Sequence, residues 1–141
     1  MNLDPWEDHT GLKWFDLDDK LGFIYELELS DGGYYYGRKQ FWRRARNKWY
    51  ETDWREYKSS SRNVLAVADL IQRSRIVATF SSKSALRYAE AMAIIVSGGY
   101  EDEAHGYNWS FAGCMSKLKL TEQDRFQLQH LFDYCYKRRQ E

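Results

Sequence analysis

Cysteine is scarce in this sequence of 141 residues, with Cys114 and Cys135 the two present. They are too few and too far apart for a zinc ribbon or a redox pair, which points to a reducing compartment and to buried or free thiols. No apolar run approaches the ~18 residues of a membrane span. The acidic, broken start "MNLDPWEDHT" also lacks the layout of a signal peptide. The expectation is a soluble intracellular chain with no membrane partner. Internal repeats and low-complexity segments are missing too, and the length suits one compact domain that buries about two-thirds of its unfolded surface without a covalent staple. Net charge is absent as well, with 21 basic and 21 acidic residues. Taken alone, that balance argues against a nucleic-acid partner.

The balance conceals a separation. Between Arg38 and Arg62 nine cations stand against Glu51, Asp53 and Glu56, a surplus of six, while residues 1 to 20 carry six carboxylates against Lys13 and Lys20. Charge divided in this way gives one face a positive potential that attracts phosphate and releases counterions on binding. A solvated loop is the alternative that charge alone leaves open. Trp42, Trp49, Tyr50 and Trp54 are interleaved with the basic block. They suit either packing of an insertion against a sheet or stacking on unpaired bases.

"GFIYELELSDGGYYYGRKQFW", residues 22 to 42, reads as a β-hairpin. Phe23, Tyr25, Leu27 and Leu29 alternate with Ile24, Glu26 and Glu28, and Asp31-Gly32-Gly33 supplies the positive φ that a tight turn requires. A three-residue loop would place Tyr25 and Tyr35 on one face, whereas a two-residue turn at Gly32-Gly33 would put Tyr34 and Tyr36 beside Tyr25 instead. Sequence leaves that register open. From Trp42 to Tyr57 the pattern predicts an irregular excursion or a short helix. Ser59 to Ser61 can cap a helix of about 12 residues, "RNVLAVADLIQR". "RIVATF" (75–80) then reads as a short buried strand, followed by a helix over 82–97 that opens on Ser81 or Ser82 and stops at Gly98-Gly99. After a polar loop come "GYNWSFAG" and an amphipathic helix from about Thr121 to Arg138, with Phe126, Leu131, Tyr134 and Cys135 as its expected inner residues. The order implies a small α+β domain: a three-stranded antiparallel or mixed sheet flanked by helices, with a C-terminal helix. Its expected divisions are an acidic segment over 1–21, a domain over 22–110 and a helical extension over 111–141.

Glu90 does not fit its surroundings. It sits among Leu86, Ala89, Ala91, Met92, Ala93 and Ile94, on a helix that is apolar almost all round. A carboxylate buried alone costs several kcal/mol, so such a group is usually paired, protonated or bound to a metal. The other possibility is a narrow solvent-facing stripe shared with Arg87 and Lys83.

"FIY" at 23–25, followed about ten residues later by "YYG" at 35–37, resembles the paired motif of the GIY-YIG nuclease superfamily. The features that follow come in that superfamily's order: a basic segment, a Ser-rich turn before a helix, a third strand, a helix with a central Glu, and an Asn in "GYN". The "FW" after the second motif, the long basic insertion and "DWREYKSSS" resemble its phage branch, related to homing endonucleases. Two letters depart from the pattern, since Phe23 replaces the first glycine and Tyr36 the middle isoleucine of the second motif.

The resemblance implies a metal-dependent DNA endonuclease, soluble in the cytoplasm of a bacterial host if phage-encoded, working as a monomer or a DNA-induced dimer. The alternative is a nucleic-acid-binding protein that keeps the fold and has lost turnover. Phosphodiester hydrolysis needs a positioned water, a cation on the phosphate and a way to stabilise the departing 3′ oxygen. Glu90 would hold a single Mg²⁺ or Mn²⁺, and Tyr25 and Tyr35 would relay the proton and orient the water. A phenol with an ordinary pKa near 10 would need nearby cations to lower it. For the essential arginine the resemblance offers Arg44 and Arg46, with Arg38 and Lys39 as rivals. The family position often held by His has Tyr57 or Lys58 nearest to it. Arg43, Ser60, Ser61 and Asn108 would complete the substrate contacts, although the serines also suit a helix cap and Asn108 a turn. His9, His105 and His130 fall outside the motif set and are expected at the surface.

Overall fold

After β2 (Gly22–Leu29) the chain turns through Ser30, Asp31 and Gly32 and returns as β3 (Tyr34–Gln40). The computed structural model describes residues 3–13, 15–102, 105–108 and 118–140. In the turn, the Leu29 N–H bonds the Gly33 carbonyl at 2.8 Å, Gly32 takes φ 86°, and Asp31 Oδ1 accepts the Gly33 N–H at 2.8 Å. The loop therefore has three residues but begins one residue before Asp31. Leu27 pairs with Tyr35 and Tyr25 with Gly37. This keeps odd residues opposite odd ones, so Tyr25 and Tyr35 share one face of the sheet while Tyr34 and Tyr36 occupy the other.

β6 (Ile71–Phe80) lies antiparallel on the far side of β2, and a two-residue strand β1 (Glu7–Asp8) adds to it in parallel, giving the order β1-β6-β2-β3. The three expected strands are present, and the acidic N-terminal segment supplies the fourth. One prediction fails here: the 12-residue helix is only α1 (Arg62–Leu65) and a 3-10 turn (Ala68–Leu70), and β6 begins at Ile71 rather than Arg75. Cross-strand charge is the physical reason. Arg73 lies opposite Glu28 and Arg75 opposite Glu26, and Arg75 Nη1 is 2.7 Å from a carboxylate oxygen of both Glu26 and Glu28. Paired opposite charges stabilise a strand, whereas an isolated helix of that length is marginal.

The basic segment also differs from expectation. It is neither irregular nor helical but a separate two-stranded ribbon, β4 (Trp42–Ala45) and β5 (Lys48–Glu51). Arg46 and Asn47 form its tip with φ of 51° and 64°, the two positive values that a type I′ turn demands.

Two cores flank the sheet. Ile24, Tyr36, Ala78 and Phe80 pack on Ala85, Leu86, Ala89 and Ile94 of α2 (Lys83–Ser97) and on Leu131 and Cys135 of α3 (Glu122–Arg139). Phe23, Tyr25, Leu27 and Ile76 are covered on the other face by Trp6, Phe41, Trp54 and Val64. α2 is capped by Ser82, which accepts the Ala85 N–H, and ends on Gly98 at φ 80°. α3 docks through polar side chains. Gln127 bonds the Thr79 N–H and the Thr10 carbonyl, and Asp124 accepts from Ser81 Oγ at 2.7 Å. The inner line is thus Asp124, Gln127, Leu131 and Cys135, and Phe126 falls off it, which corrects its expected burial. Burial pushes the Cys135 thiol up to about 12, so this free cysteine is inert. Cys114 and the part of "GYNWSFAG" from residue 109 lie outside the described residues. Among the described residues no helix is long and apolar enough to cross a membrane.

Candidate active site

Tyr25 stands opposite Gly37 on the neighbouring strand, and its ring lies across that glycine. A Cβ on Gly37 would come within 2.4 Å of Tyr25 Cζ and Oη and 2.8 Å of Tyr35 Cε1. The glycine of "YYG" is therefore the space in which the two phenols meet. A bulge on β6, with Val77 as the extra residue, falls opposite Ile24 and Tyr25. Bulges of this kind re-aim side chains near functional sites. Gly37→Ala should cost about 1–3 kcal/mol by overpacking. Thermal denaturation checks this, and an unchanged Tm would mean that the Tyr25 ring has room to move.

Around Tyr25 the other groups assemble. Its ring centroid is 6.0 Å from that of Tyr35 and 6.2 Å from that of Tyr57, and the buried Ser59 hydroxyl lies near enough to both Tyr25 and Tyr35 to favour their ionised forms. Lys39 Nζ lies 4.1 Å from the centroid of the Tyr57 ring and 2.8 Å from Asp53. From α2, Glu90 Oε1 accepts a hydrogen bond from Arg38 Nη1 at 3.0 Å. The phenols lie on one face of the sheet and Glu90 on the helix against the other, near enough for its charge to raise both Tyr25 and Tyr35, beside β3 at the outer edge of the sheet. That edge is closed only in its first half. There Tyr107 N–H bonds the Tyr34 carbonyl, and Asn108 pairs its amide with both the N–H and the carbonyl of Tyr36. Among the described residues no strand pairs with β3 beyond Tyr36 on that side.

Burial raises the phenol of Tyr25 well above its ordinary value, and the neighbouring phenols of Tyr35 and Tyr57 add to the shift. Tyr35 is raised by burial too, with Ser59 opposing. Both are neutral hydroxyls at physiological pH, which corrects the idea that arginines depress their pKa. Desolvation is the largest influence on both phenols. Burial also raises the Glu90 carboxyl, with Arg38 the main opposing influence.

The expected site residues separate into three groups. Tyr25, Tyr35, Tyr57, Glu90, Arg38 and Lys39 come together. Arg43, Arg44 and Arg46 do not join them, because the basic block folds as the ribbon: Arg43 lies over Tyr50, Arg44 over Trp49, and Arg46 is at the tip. Lys58 and Ser60 are exposed beside the cluster, and Ser61 takes the N-cap position of α1 with its hydroxyl donating to Asn63. Asn108 is buried, and its amide is engaged by the β3 main chain. Ser59 is the residue that sequence reasoning missed. The run of three serines signalled a site, but nothing in it marks which hydroxyl turns inward.

The candidate metal donors that converge are all oxygens, with Glu90 supplying a carboxylate, while the Asp53 carboxylate is taken by Lys39. Among the described residues no three His, Cys, Asp or Glu side chains form a cluster. Such a set fits a hard ion that keeps most of its waters and does not fit zinc. Residues 6–110 match the family model described as "Putative endonuclease segE, GIY-YIG domain". The chain belongs to the GIY-YIG nuclease superfamily. No curated protein and no solved structure matches it. In the GIY-YIG domain the first motif's tyrosine and the second motif's glycine are cross-strand partners here, so their spacing follows from the length of one hairpin.

Proposed function

We propose that this protein is a metal-dependent DNA endonuclease of the phage-type GIY-YIG branch. The observation that carries the reading is the convergence of Glu90, Arg38 and three phenols at a strand edge that no described residue pairs beyond Tyr36. Glu90 would hold one Mg²⁺ or Mn²⁺, and the ion when bound supplies positive charge to the scissile phosphate and to the departing 3′ oxygen. Arg38 and Lys39, at the open end of β3, hold the phosphate oxygens. Arg38 is the better placed for this because its guanidinium already reaches the carboxylate. The neutral hydroxyls of Tyr25 and Tyr35, with Ser59 beside them, orient the attacking water and relay its proton to bulk solvent, each hydroxyl accepting one proton as it releases another. Tyr57 walls the water side in the place where a histidine base was expected, and Lys39 over its ring keeps that wall positively charged. Lys58 and Ser60 are exposed next to Ser59 and extend the substrate contacts. Ser61 and Asn108 position the adjoining backbone.

A second reading, a DNA-binding protein without turnover, is favoured by one observation. The Arg38 guanidinium already neutralises the carboxylate that a metal would use. Incubation of the purified protein with supercoiled plasmid and Mg²⁺ separates the two. The expected outcome is nicked or linear DNA that disappears when EDTA is added and returns with excess Mg²⁺ or Mn²⁺. Binding without products under any divalent ion would leave the binder, and absence of binding would overturn both.

A further inference from the structure

The β4–β5 ribbon contributes little to either core. Arg43, Arg44, Arg46, Lys48, Trp49 and Tyr50 are all exposed, with Trp49 at 55% and Tyr50 at 42%. Pairing across the ribbon sets Arg43 against Tyr50 and Arg44 against Trp49, each guanidinium 5.8 Å from the ring centroid. An aromatic ring under an arginine holds it extended without neutralising it. The two faces differ. Trp42 and Trp49 look onto a groove of about 380 Å³ beside Asp18 and Asp19, so this face is turned toward the protein's acidic segment. The opposite face carries Arg43, Lys48 and Tyr50 and no carboxylate, and the tip adds Arg46.

The ribbon is rooted at the site itself. Thr52 closes its base by donating its N–H to the Phe41 carbonyl and its hydroxyl to that of Gln40, each within 2.8 Å. The chain enters the ribbon directly after Arg38 and Lys39 and leaves it toward Trp54, Tyr57 and Ser59. A cationic, aromatic finger thus projects from the rim of the place where the phosphate is held.

We propose that this ribbon enters the major groove of the duplex being cut and fixes where the cut falls, with Arg43, Arg46, Lys48 and Tyr50 as its contact face. The inference rests on the nuclease reading and adds the means of positioning. A two-stranded ribbon matches a groove about 12 Å wide. Four residues at ~3.4 Å each carry the tip ~14 Å from its root. At ~3.4 Å per base pair that is about four base pairs beyond the ribbon's root, which itself follows Arg38 by four residues. The contacts are cations and an aromatic ring, the chemistry that suits phosphate walls and base edges.

The test compares wild type with Arg43→Ala/Arg46→Ala/Lys48→Ala on a 30-base-pair random duplex, on one of its single strands and on a mapped linear fragment. An Arg125→Ala/Lys137→Ala protein on α3 serves as control. Losing three phosphate contacts should flatten the log–log salt slope by about 2.7, at about 0.9 per contact, and the control should not change it. Wild-type cuts should be suppressed at a fixed distance, several base pairs, from guanines methylated at N7, which lies in the major groove, and the ribbon variant should lose that sensitivity. Lys48→Glu, a single exposed change, should weaken binding in the same direction and guards against misfolding of the triple variant. If the variants keep both slope and cut positions while wild type cleaves, the ribbon proposal fails and the nuclease reading stands. If the variants lose affinity only for single-stranded DNA, the ribbon stacks on bases and the groove proposal is wrong. If wild type neither binds nor cuts duplex DNA, the nuclease reading has failed first.

Discussion

Replacing Glu90 with glutamine is expected to lower Mg²⁺-dependent cleavage by about 10³-fold or more and to leave DNA affinity and the fold nearly intact. The loss corresponds to about 4 kcal/mol of transition-state stabilisation, the scale of a metal's contribution to charge on a transferring phosphate. The fold should survive because the amide is isosteric and burial already disfavours the charge. The Glu90 carboxyl is raised above its ordinary value by desolvation, against the pull of Arg38. With the folded pKa above the unfolded one, the stability it contributes is fully present below the unfolded value. It is lost as pH rises through the folded value. At pH 7 the variant should therefore melt at the same temperature as wild type or slightly higher, and that difference should shrink on acidification below the folded pKa. Single-turnover cleavage and melting curves at both pH values check the pair of expectations. A lower Tm at pH 7 with unchanged cleavage would make Glu90 a structural partner of Arg38 instead.

Glu90 was legible in the sequence because a lone carboxylate among alanines and isoleucines demands an explanation. α2 was legible for a related reason: a Ser cap, helical apolar spacing and Gly98 all agree. The ribbon was not. In "WRRARNKWYE" only Trp42 packs against a core, so no apolar alternation marks the strands, and the tip is Arg-Asn rather than the Asn-Gly or Asp-Gly that flags a type I′ turn. Of the arginines the sequence offered, the ribbon carries Arg44 and Arg46 along its strands and tip, and the strand end before it brings Arg38 to Glu90. The first half of β6 was hidden in a different way. Its "QRSR" carries charge where a strand usually shows apolar residues, and the compensating Glu26 and Glu28 are more than 40 residues away in sequence. Arg75 and Arg138 both reach Glu26, which is 1% exposed and also accepts from Tyr36 and Tyr134. Only the folded sheet reveals a charge network of that kind.

The hairpin links fold to mechanism most tightly, because its parity decides which phenols can act. Tyr25→Phe and Tyr35→Phe are each expected to slow cleavage by about 100-fold or more, the range for losing a positioned proton donor or relay. Phenylalanine keeps the ring that fills the space over Gly37, so packing should hardly change. Tyr36 makes the useful comparison, since it faces the helices and its hydroxyl donates to the buried Glu26. Tyr36→Phe should leave the cleavage rate nearly unchanged but cost about 1–3 kcal/mol of stability, because it withdraws a donor from a buried carboxylate. Tyr34→Phe should likewise spare the rate, its hydroxyl being directed to the Ser97 carbonyl at the end of α2. The raised pKa of Tyr25 adds a pH expectation. With its phenol neutral well past about pH 10, the rate should show no limb from its ionisation between about pH 7 and pH 9. Single-turnover rates across that interval, measured beside melting curves for the four variants, separate chemistry from packing. If Tyr36 proves essential to the rate and Tyr35 dispensable, the reaction takes place on the helix face of the sheet, and the cluster at the edge of β3 is not the active site.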